Sequence, residues 1–475
     1  MQESIYDPGF APFGGGSTAS TIHPVVLGVV GLIAVLTFTL KRKYAIVPLL
    51  LGMLLIPYGQ NWYIGGFHLY VSRLLIILAW IRVGISRLSS SQRLLPGGFT
   101  VLDKLFLVWA CYRALATILL YGQVAAVTNQ IGFLWDALGG YFLFRCLVED
   151  QETILRVVKA FAVVAVIAAA GMIYEQLMGH NLFAFLGAVR LIPEIREGRV
   201  RSQAFFGHAL LAGAFGATTF CLFLWLWKRG KTWFIPLIGL IASIVMAYFA
   251  STSTPIMALM GGIFVLCLWP IRAHMRALRW AMVTTLVGLH LVMKAPVWFL
   301  IGRIDLSGGS TGNHRAVLID NFIRHFSDWW LVGTHENVNW GYDMWDQCNQ
   351  YILEGENGGL IAFACFIAMF CVCYRWIGTA RKAVEGDKER EWLFWILGAA
   401  LFSQTMAFVG VDYFDQTKFV WYMLMVTVTT TTQFSRDAVA LTPATPDLAT
   451  AGRFCKPRER SMPNMASPWP MRFTL

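Results

Sequence analysis

The sequence predicts an all-α polytopic membrane protein of about 12–13 transmembrane helices, with one large periplasmic loop containing an amphipathic interfacial helix. Three observations carry that prediction. The 475 residues are 57% hydrophobic and only 14% charged, with mean hydropathy +0.58, too little charge to coat a soluble protein of this size. Apolar runs recur along the chain, several approaching the ~20 residues that a bilayer crossing needs. Lys and Arg collect in every second loop between those runs, which is the positive-inside pattern. The formal net charge of +11 is therefore read as membrane topology, and a nucleic-acid partner is set aside.

In order, the apolar runs are 24–40, 44–58, 69–81, 101–120, 131–147, 154–178, 208–227, 233–250, 255–270, 280–301, 359–376, 392–411 and 419–432. The second is short enough to be re-entrant or tilted, hence 12 or 13 crossings. Lys41, Arg42 and Lys43 follow the first run, and Arg82, Arg87 and Arg93 the third. Arg145, Arg156 and Lys159 bracket the loop after the fifth, and Lys228, Arg229 and Lys231 follow the seventh. Arg272, Arg276 and Arg279 follow the ninth, and Arg375, Arg381, Lys382, Lys388 and Arg390 the eleventh. These loops are expected in the cytoplasm. Loops 59–67, 121–130, 179–207, 251–254, 302–358 and 410–418 are expected outside. The N-terminus then lies outside and the C-terminus inside.

Three regions follow: a polar N-terminal segment 1–23, a membrane domain 24–432, and a Pro-, Thr- and Ala-rich tail 433–475 read as disordered and cytoplasmic. Residues 1–23 lack the basic n-region of a cleavable signal peptide. Of nine cysteines, only Cys348 and Cys455 lie outside or away from the apolar runs, so no disulfide framework is visible.

Two outer loops stand apart. Loop 179–207 carries Arg190, Arg196, Arg199 and Arg201 against the positive-inside bias, with Glu194 and Glu197 among them. The arginines either pair with those glutamates or receive an anionic ligand, because a planar guanidinium bonds two phosphate oxygens at once. Loop 302–358 is acidic and aromatic and holds His314, His325 and His335. Within it, Leu318, Phe322, Phe326 and Trp330 recur at helical spacing, which predicts an amphipathic helix over 314–330 lying on the bilayer, with Ser310 or Thr311 as its cap. Trp329 and Trp330 suit an interfacial anchor. Few charges fall inside the runs: Arg73, Arg113 and Asp136, with Glu175 and Lys294 nearer their outer ends. Arg73 and Asp136 are a candidate interhelical ion pair.

Three segments together resemble the O-antigen ligase and polymerase family of membrane glycosyltransferases. Arg201-Ser-Gln-Ala-Phe-Phe-Gly-His208-Ala-Leu-Leu-Ala-Gly213 resembles the family's Arg-x-x-Gly-x-Phe-x-(His/Asn)-Pro segment. Ser251-Thr-Ser-Thr-Pro255 resembles its Ser-x-Ser-(Arg/Ser)-(Gly/Pro) turn two spans later. Gly309-Ser-Thr-Gly-Asn-His314-Arg315, Trp329-Trp-Leu-Val-Gly-Thr and Asp346-Gln-Cys-Asn349-Gln-Tyr351, ending at Gly358-Gly359-Leu360, resemble its large periplasmic loop. Ala204 stands where the family has Gly, Ala209 where it has Pro, Thr254 where ligases carry a second Arg, and Cys348 where they carry a His. The box Asp-x-x-Asn-x-Tyr is similar to that of the exopolysaccharide repeat-unit polymerase branch.

The resemblance implies an inverting, metal-independent enzyme of the bacterial inner membrane with its active site facing the periplasm, and no cofactor. Its donor would be an undecaprenyl-diphosphate-linked oligosaccharide, with a chain-length regulator and a flippase as partners. Arg201, Arg199 and Arg315 would bind the leaving diphosphate. Asp346 would be the base, with His335 and His314 as rivals. Asn349, Tyr351, Trp345 and His208 would hold the glycan. A ligase acting on a lipid or protein acceptor is the near alternative. A secondary transporter, with broken helices and midplane polar groups, is the distant one.

Overall fold

The structure, a computed structural model, describes residues 20–65, 67–88, 94–229, 232–303, 312–335, 337–341, 344 and 347–440. Every apolar run of the sequence forms helix. The helices are α1 (Pro24–Thr39), α2 (Arg42–Leu55), α3 (Val71–Leu88), α4 (Val101–Tyr121), α5 (Val124–Leu134), α6 (Gly140–Leu147), α7 (Gln151–Met178) and α8 (Ala209–Arg229). They continue with α9 (Phe234–Phe249), α10 (Ser253–Cys267), α11 (Met275–Val292), α12 (Gly312–Arg324), α13 (Phe326–Trp329), α14 (Gln350–Ala383), α15 (Lys388–Ala407) and α16 (Lys418–Ala440). Two small antiparallel hairpins interrupt them: β1 (Asn61–Ile64) with β2 (Phe67–Tyr70), and β3 (Glu194–Arg196) with β4 (Arg199–Arg201).

Four helices, α4, α7, α8 and α14, are long and apolar enough to cross a membrane alone. The pair α10–α11, bent by 77°, makes a fifth if it is one span, and α1 and α9 are apolar but shorter. The remaining runs meet the sequence expectation of helix but fall short of that combination of length and apolar character.

Boundaries follow local chemistry. Thr100 and Asp103 form a reciprocal capping box at the start of α4, and Asp150 accepts from the Thr153 amide to start α7. Left-handed Gly122 and Gly179 end those two helices. Helix α16 is buried on every side from Phe419 to Thr432. Its Thr-rich stretch tolerates this because Thr427, Thr429, Thr431 and Thr432 return their hydroxyls to the carbonyl four residues back. Helix α8 is the other central element. Gly213 and Gly216 let it approach Pro255, Ala250, Met246 and Ser243 of its neighbours.

The loops segregate to two ends. At the basic end, Arg42 pairs with Glu149, Arg156 reaches the Lys43 carbonyl, and Arg272 and Arg381 share Glu391. At the other end, loops 59–67, 121–130, 179–207, 251–254, 302–358 and 410–418 meet, as the alternation of charge predicts. Thr21 bonds Asn61, Tyr121 faces His335, Thr117 bonds Asn357, and Ser251 bonds Val200.

The fold departs from the sequence reading in four places. The fifth run starts earlier, at Val124, and passes through a π-helical turn over Trp135–Gly139. The helix expected over 314–330 breaks at His325. Its apolar face is covered by protein: Leu318, Phe322 and Trp329 pack with Trp340, Met344 and Ile352. Trp329 is thus a core residue stacked on Phe322 rather than an interfacial anchor, while Phe326 and Trp330 are exposed. Helix α14 begins at Gln350, not at Gly358-Gly359, because Asn349 caps it by accepting from the Tyr351 and Ile352 amides. Gly359 is instead a break inside it, at φ +63, where the Leu331 carbonyl lies so close that no side chain fits. Finally, α16 runs to Ala440, past the expected boundary at 432. Ser310 and Thr311 lie outside the described residues.

Candidate functional site

The β3–β4 hairpin turns through Glu197 and Gly198, both at positive φ, the geometry of a tight two-residue loop. Its register sets Glu194 opposite Arg201. The Arg201 Nη1 donates to Glu194 Oε1 at 2.7 Å, and His208 Nε2 stands 3.5 Å from the other carboxylate oxygen. The Leu210 amide donates to His208 Nδ1 at 3.1 Å. A neutral His208 therefore carries its proton on Nε2, toward Glu194. Arg201 is 5% exposed and its Nε has no hydrogen-bond partner among the described residues. Burial pulls His208 below its ordinary value, and the Arg201 charge adds to this. Burial pushes the Glu194 carboxyl up, but Arg201, His208 and Arg190 outweigh it and hold Glu194 low.

The chain after Arg201 is clamped by the end of α7. Glu175 accepts from the amides of Gln203 at 2.9 Å and Ala204 at 2.6 Å. Gln176 donates to the Val200 carbonyl and the Ser202 hydroxyl, and Asn181 donates to the Ala204 carbonyl at 2.7 Å. Ala204 sits at φ +51, a conformation that favours Gly, the residue the resembled family has here. Phe205 and Phe206 are fully buried beneath it.

The last loop, 408–418, joins the site together. The Gly410 carbonyl accepts from Thr254 Oγ1 at 3.1 Å and lies 3.5 Å from an Arg315 Nη2 donor. The Val409 carbonyl accepts from Asn349, and the Phe408 carbonyl from the Gln350 amide. Asp415 accepts from the Gly207 amide at 2.9 Å, and Gln416 donates to the Phe205 carbonyl. Burial raises the Asp415 carboxyl above its ordinary value. Segments far apart in the chain, around 201–208, 251–255, 315 and 349, thus meet on one strap.

Not every expected site residue reaches it. Arg199 is exposed, on the same strand face as Arg201 and nearer the hairpin turn. His314 is half-buried in the first turn of α12. His335 is exposed and stands over Tyr121 with ring centroids 5.4 Å apart. Asn349 spends its amide on capping and on Val409, and Tyr351 donates to the Thr405 carbonyl inside the bundle. Both were expected to hold sugar hydroxyls; instead these groups are engaged in the fold. Asp346 and Trp345 lie outside the described residues. Among the described residues no group of three or more His, Cys, Asp or Glu side chains is placed to hold a metal ion. No protein-family model and no curated protein sequence matches this chain.

A second polar cluster lies at the same end. Arg73 and Asp136 do pair, as the sequence suggests, through Nε at 3.1 Å and Nη2 at 3.2 Å. Lys418 joins them, with Nζ 2.8 Å from Asp136 Oδ2 and 2.7 Å from the Tyr58 hydroxyl. The π-helical turn holds Asp136, and Arg73 passes against Gly132 just before it. The sequence reading missed Lys418 and the 408–418 strap. One signal was present: Asp412, Asp415, Gln416, Thr417 and Lys418 form a polar patch between two strongly apolar runs.

Proposed function

We propose that this chain is a membrane glycosyltransferase that polymerises undecaprenyl-diphosphate-linked oligosaccharide repeat units on the periplasmic face of a bacterial inner membrane. In this reading all thirteen apolar runs cross or enter the bilayer, and the loop-rich end faces out. The observation that most supports it is that the Ser251–Thr254 turn links two buried arginines: Ser251 bonds Val200 beside Arg201, and Thr254 shares the Gly410 carbonyl with Arg315. Thr254 stands where ligases carry a second Arg, and Arg315 brings a guanidinium to that same place: its Cζ would lie 3.1 Å from a Cβ at Gly410, beside Thr254. The cation is displaced in sequence and kept in space.

The reaction needs little else from the protein. An acceptor hydroxyl attacks the anomeric carbon, the bond from that carbon to the diphosphate oxygen breaks, and configuration inverts. Charge grows on the departing diphosphate, where Arg201 and Arg315 would stabilise it. Glu194 and His208 fix the Arg201 guanidinium. His208, with Nδ1 engaged and its Nε2 proton aimed at Glu194, suits that positioning role better than general-base work. Asp346, His335 and His314 remain the groups to test as base.

Purified protein incubated with a lipid-diphosphate oligosaccharide, without nucleotide and with chelator, should yield a ladder of multiplied repeat units. Arg201→Ala should slow it by about 10²–10³-fold, as for loss of one transition-state donor. Product only with a lipid A or protein acceptor would make it a ligase. One observation favours a transporter: the α10–α11 pair is broken and bent by 77°. Solute uptake into liposomes with no glycan product would move that reading first.

A further inference from the structure

The Asp136 cluster holds two cations on one carboxylate. Arg73 and Lys418 both bond Asp136, Tyr58 is a neutral phenol, and no other acidic side chain among the described residues forms an ion pair with either cation. These three charged side chains, 17%, 4% and 13% exposed, sum to one net positive charge; the buried Asp415 carboxyl, three residues before Lys418, also acts on it through space but spends its oxygens on the Gly207 and Thr417 amides rather than on either cation. A buried cation with donors to spare is stabilised further by an added anion. Donors are spare as well. With the described residues Arg73 makes three hydrogen bonds, two to Asp136 and one to the His68 carbonyl, out of five guanidinium N–H groups. Lys418 makes two with them, out of three.

Position adds to charge. Arg73 lies in the first turn of α3 and Lys418 is the first residue of α16, so the cluster sits at the loop-rich end, which the polymerase reading turns to the outer face of the membrane. Tyr58 and Tyr70 stack beside it at 4.6 Å, and Arg73 lies over the Tyr70 ring. Helix α5, which leads into the π-helical turn, shows an apolar outer face: Val124, Val127, Ile131 and then Trp135 are exposed. Trp135 also donates to the Arg73 carbonyl. A cation pair at this end of the bundle, behind a helix with an exposed apolar face, fits a diphosphate with a hydrocarbon tail. The cluster also joins the Arg201 site through the chain: Asp415 bonds Gly207 and Gln416 bonds Phe205, within three residues of Lys418.

We infer that Arg73 and Lys418 form a second diphosphate site, which holds the acceptor's lipid diphosphate while Arg201 and Arg315 hold the donor's. This rests on the polymerase reading, in which donor and acceptor each carry a lipid diphosphate; a ligase needs only one. No bond changes at the second site: it anchors the acceptor so that its sugar hydroxyl meets the donor's anomeric carbon.

The test counts bound lipid. The full chain in phosphatidylcholine nanodiscs is saturated with undecaprenyl diphosphate and read by native mass spectrometry. Wild type should bind two equivalents, Arg201→Ala and Lys418→Met one each, and Lys418→Arg two. The equivalent kept by Arg201→Ala should be displaced by excess inorganic pyrophosphate and weakened by about ten- to a hundredfold in Lys418→Met. One equivalent in wild type overturns the inference whatever the variants do, as does a second equivalent that pyrophosphate cannot displace. A repeat-unit ladder from a chain that binds one equivalent sinks the second site and leaves the polymerase. Two equivalents with no ladder keep the second cation site but remove the polymerase and the acceptor assignment.

Discussion

Two buried carboxylates, one near each end of the molecule, solve the same problem in opposite ways. At the basic end, Asp103 faces one Arg145, both 0% exposed, and adds Tyr141 and the Thr100 cap. Charge is balanced and both carboxylate oxygens are engaged. At the loop-rich end, Asp136 faces two cations, and neither cation is fully enclosed. A balanced, closed pair is a staple, since nothing further can enter it. A partly open one, in which two cations bond a single carboxylate, keeps capacity for an anion.

That contrast can be broken most sharply by removing one cation from each. Arg145→Ala leaves Asp103 buried and uncompensated and should destabilise by about 3–5 kcal/mol. Lys418→Met leaves Asp136 with Arg73 and should cost less than half of that. Thermal unfolding of the detergent-solubilised variants measures both; equal losses would make the two clusters the same kind of structure.

Next in size is Glu175→Ala. Glu175 has no cation partner among the described residues: its carboxyl clamps the Gln203 and Ala204 amides. Leaving a buried amide without its acceptor costs about 1–3 kcal/mol, so the loss of both should be about 2–3 kcal/mol after local relaxation. Because the clamp orients the turn that follows Arg201, glycan-ladder formation should fall even at temperatures where the variant stays folded. Full activity in a destabilised Glu175→Ala would separate the clamp from the site.

The smallest expected effect is that of pH. Glu194 and His208 are both held below their ordinary values. A group with a depressed folded value gives stability that is complete above its unfolded value and lost as pH falls through the folded one. Both groups therefore lose stability on acidification and neither on the alkaline side. The thermal midpoint of wild type minus His208→Gln should be flat above about pH 7 and shrink below the ordinary histidine value near 6.5. A difference that instead grows on acidification would mean that His208 is charged in the folded protein.

The sequence made the helices, their alternation between two ends and the Arg73–Asp136 pair legible, because apolar run length and loop charge are one-dimensional signals. It made Arg201, Glu194 and His208 legible as neighbours, since they share one short segment. It could not show that Lys418 closes on Asp136, 282 positions away, because nothing local marks that pairing. It also mistook Trp329 for an anchor. An amphipathic stripe says that a face is covered, not whether lipid or Trp340 and Ile352 cover it. Asn349 and Tyr351 looked like sugar ligands because side-chain type cannot tell an open amide from one spent on a helix cap.

The strap over 408–410 makes its contacts with three backbone carbonyls, those of Phe408, Val409 and Gly410. Every residue type supplies a carbonyl, so substitution at Val409 leaves its contact in place. Phe408 is held to its identity by a fully buried ring against Tyr351, Phe366, Phe370, Tyr413 and Trp421, and Gly410 because a side chain there would collide with Thr254. The carbonyl contacts that assemble distant segments thus leave almost no trace of their own in amino-acid identity. Two chains could share this assembly while agreeing, in this stretch, on one buried aromatic and one glycine.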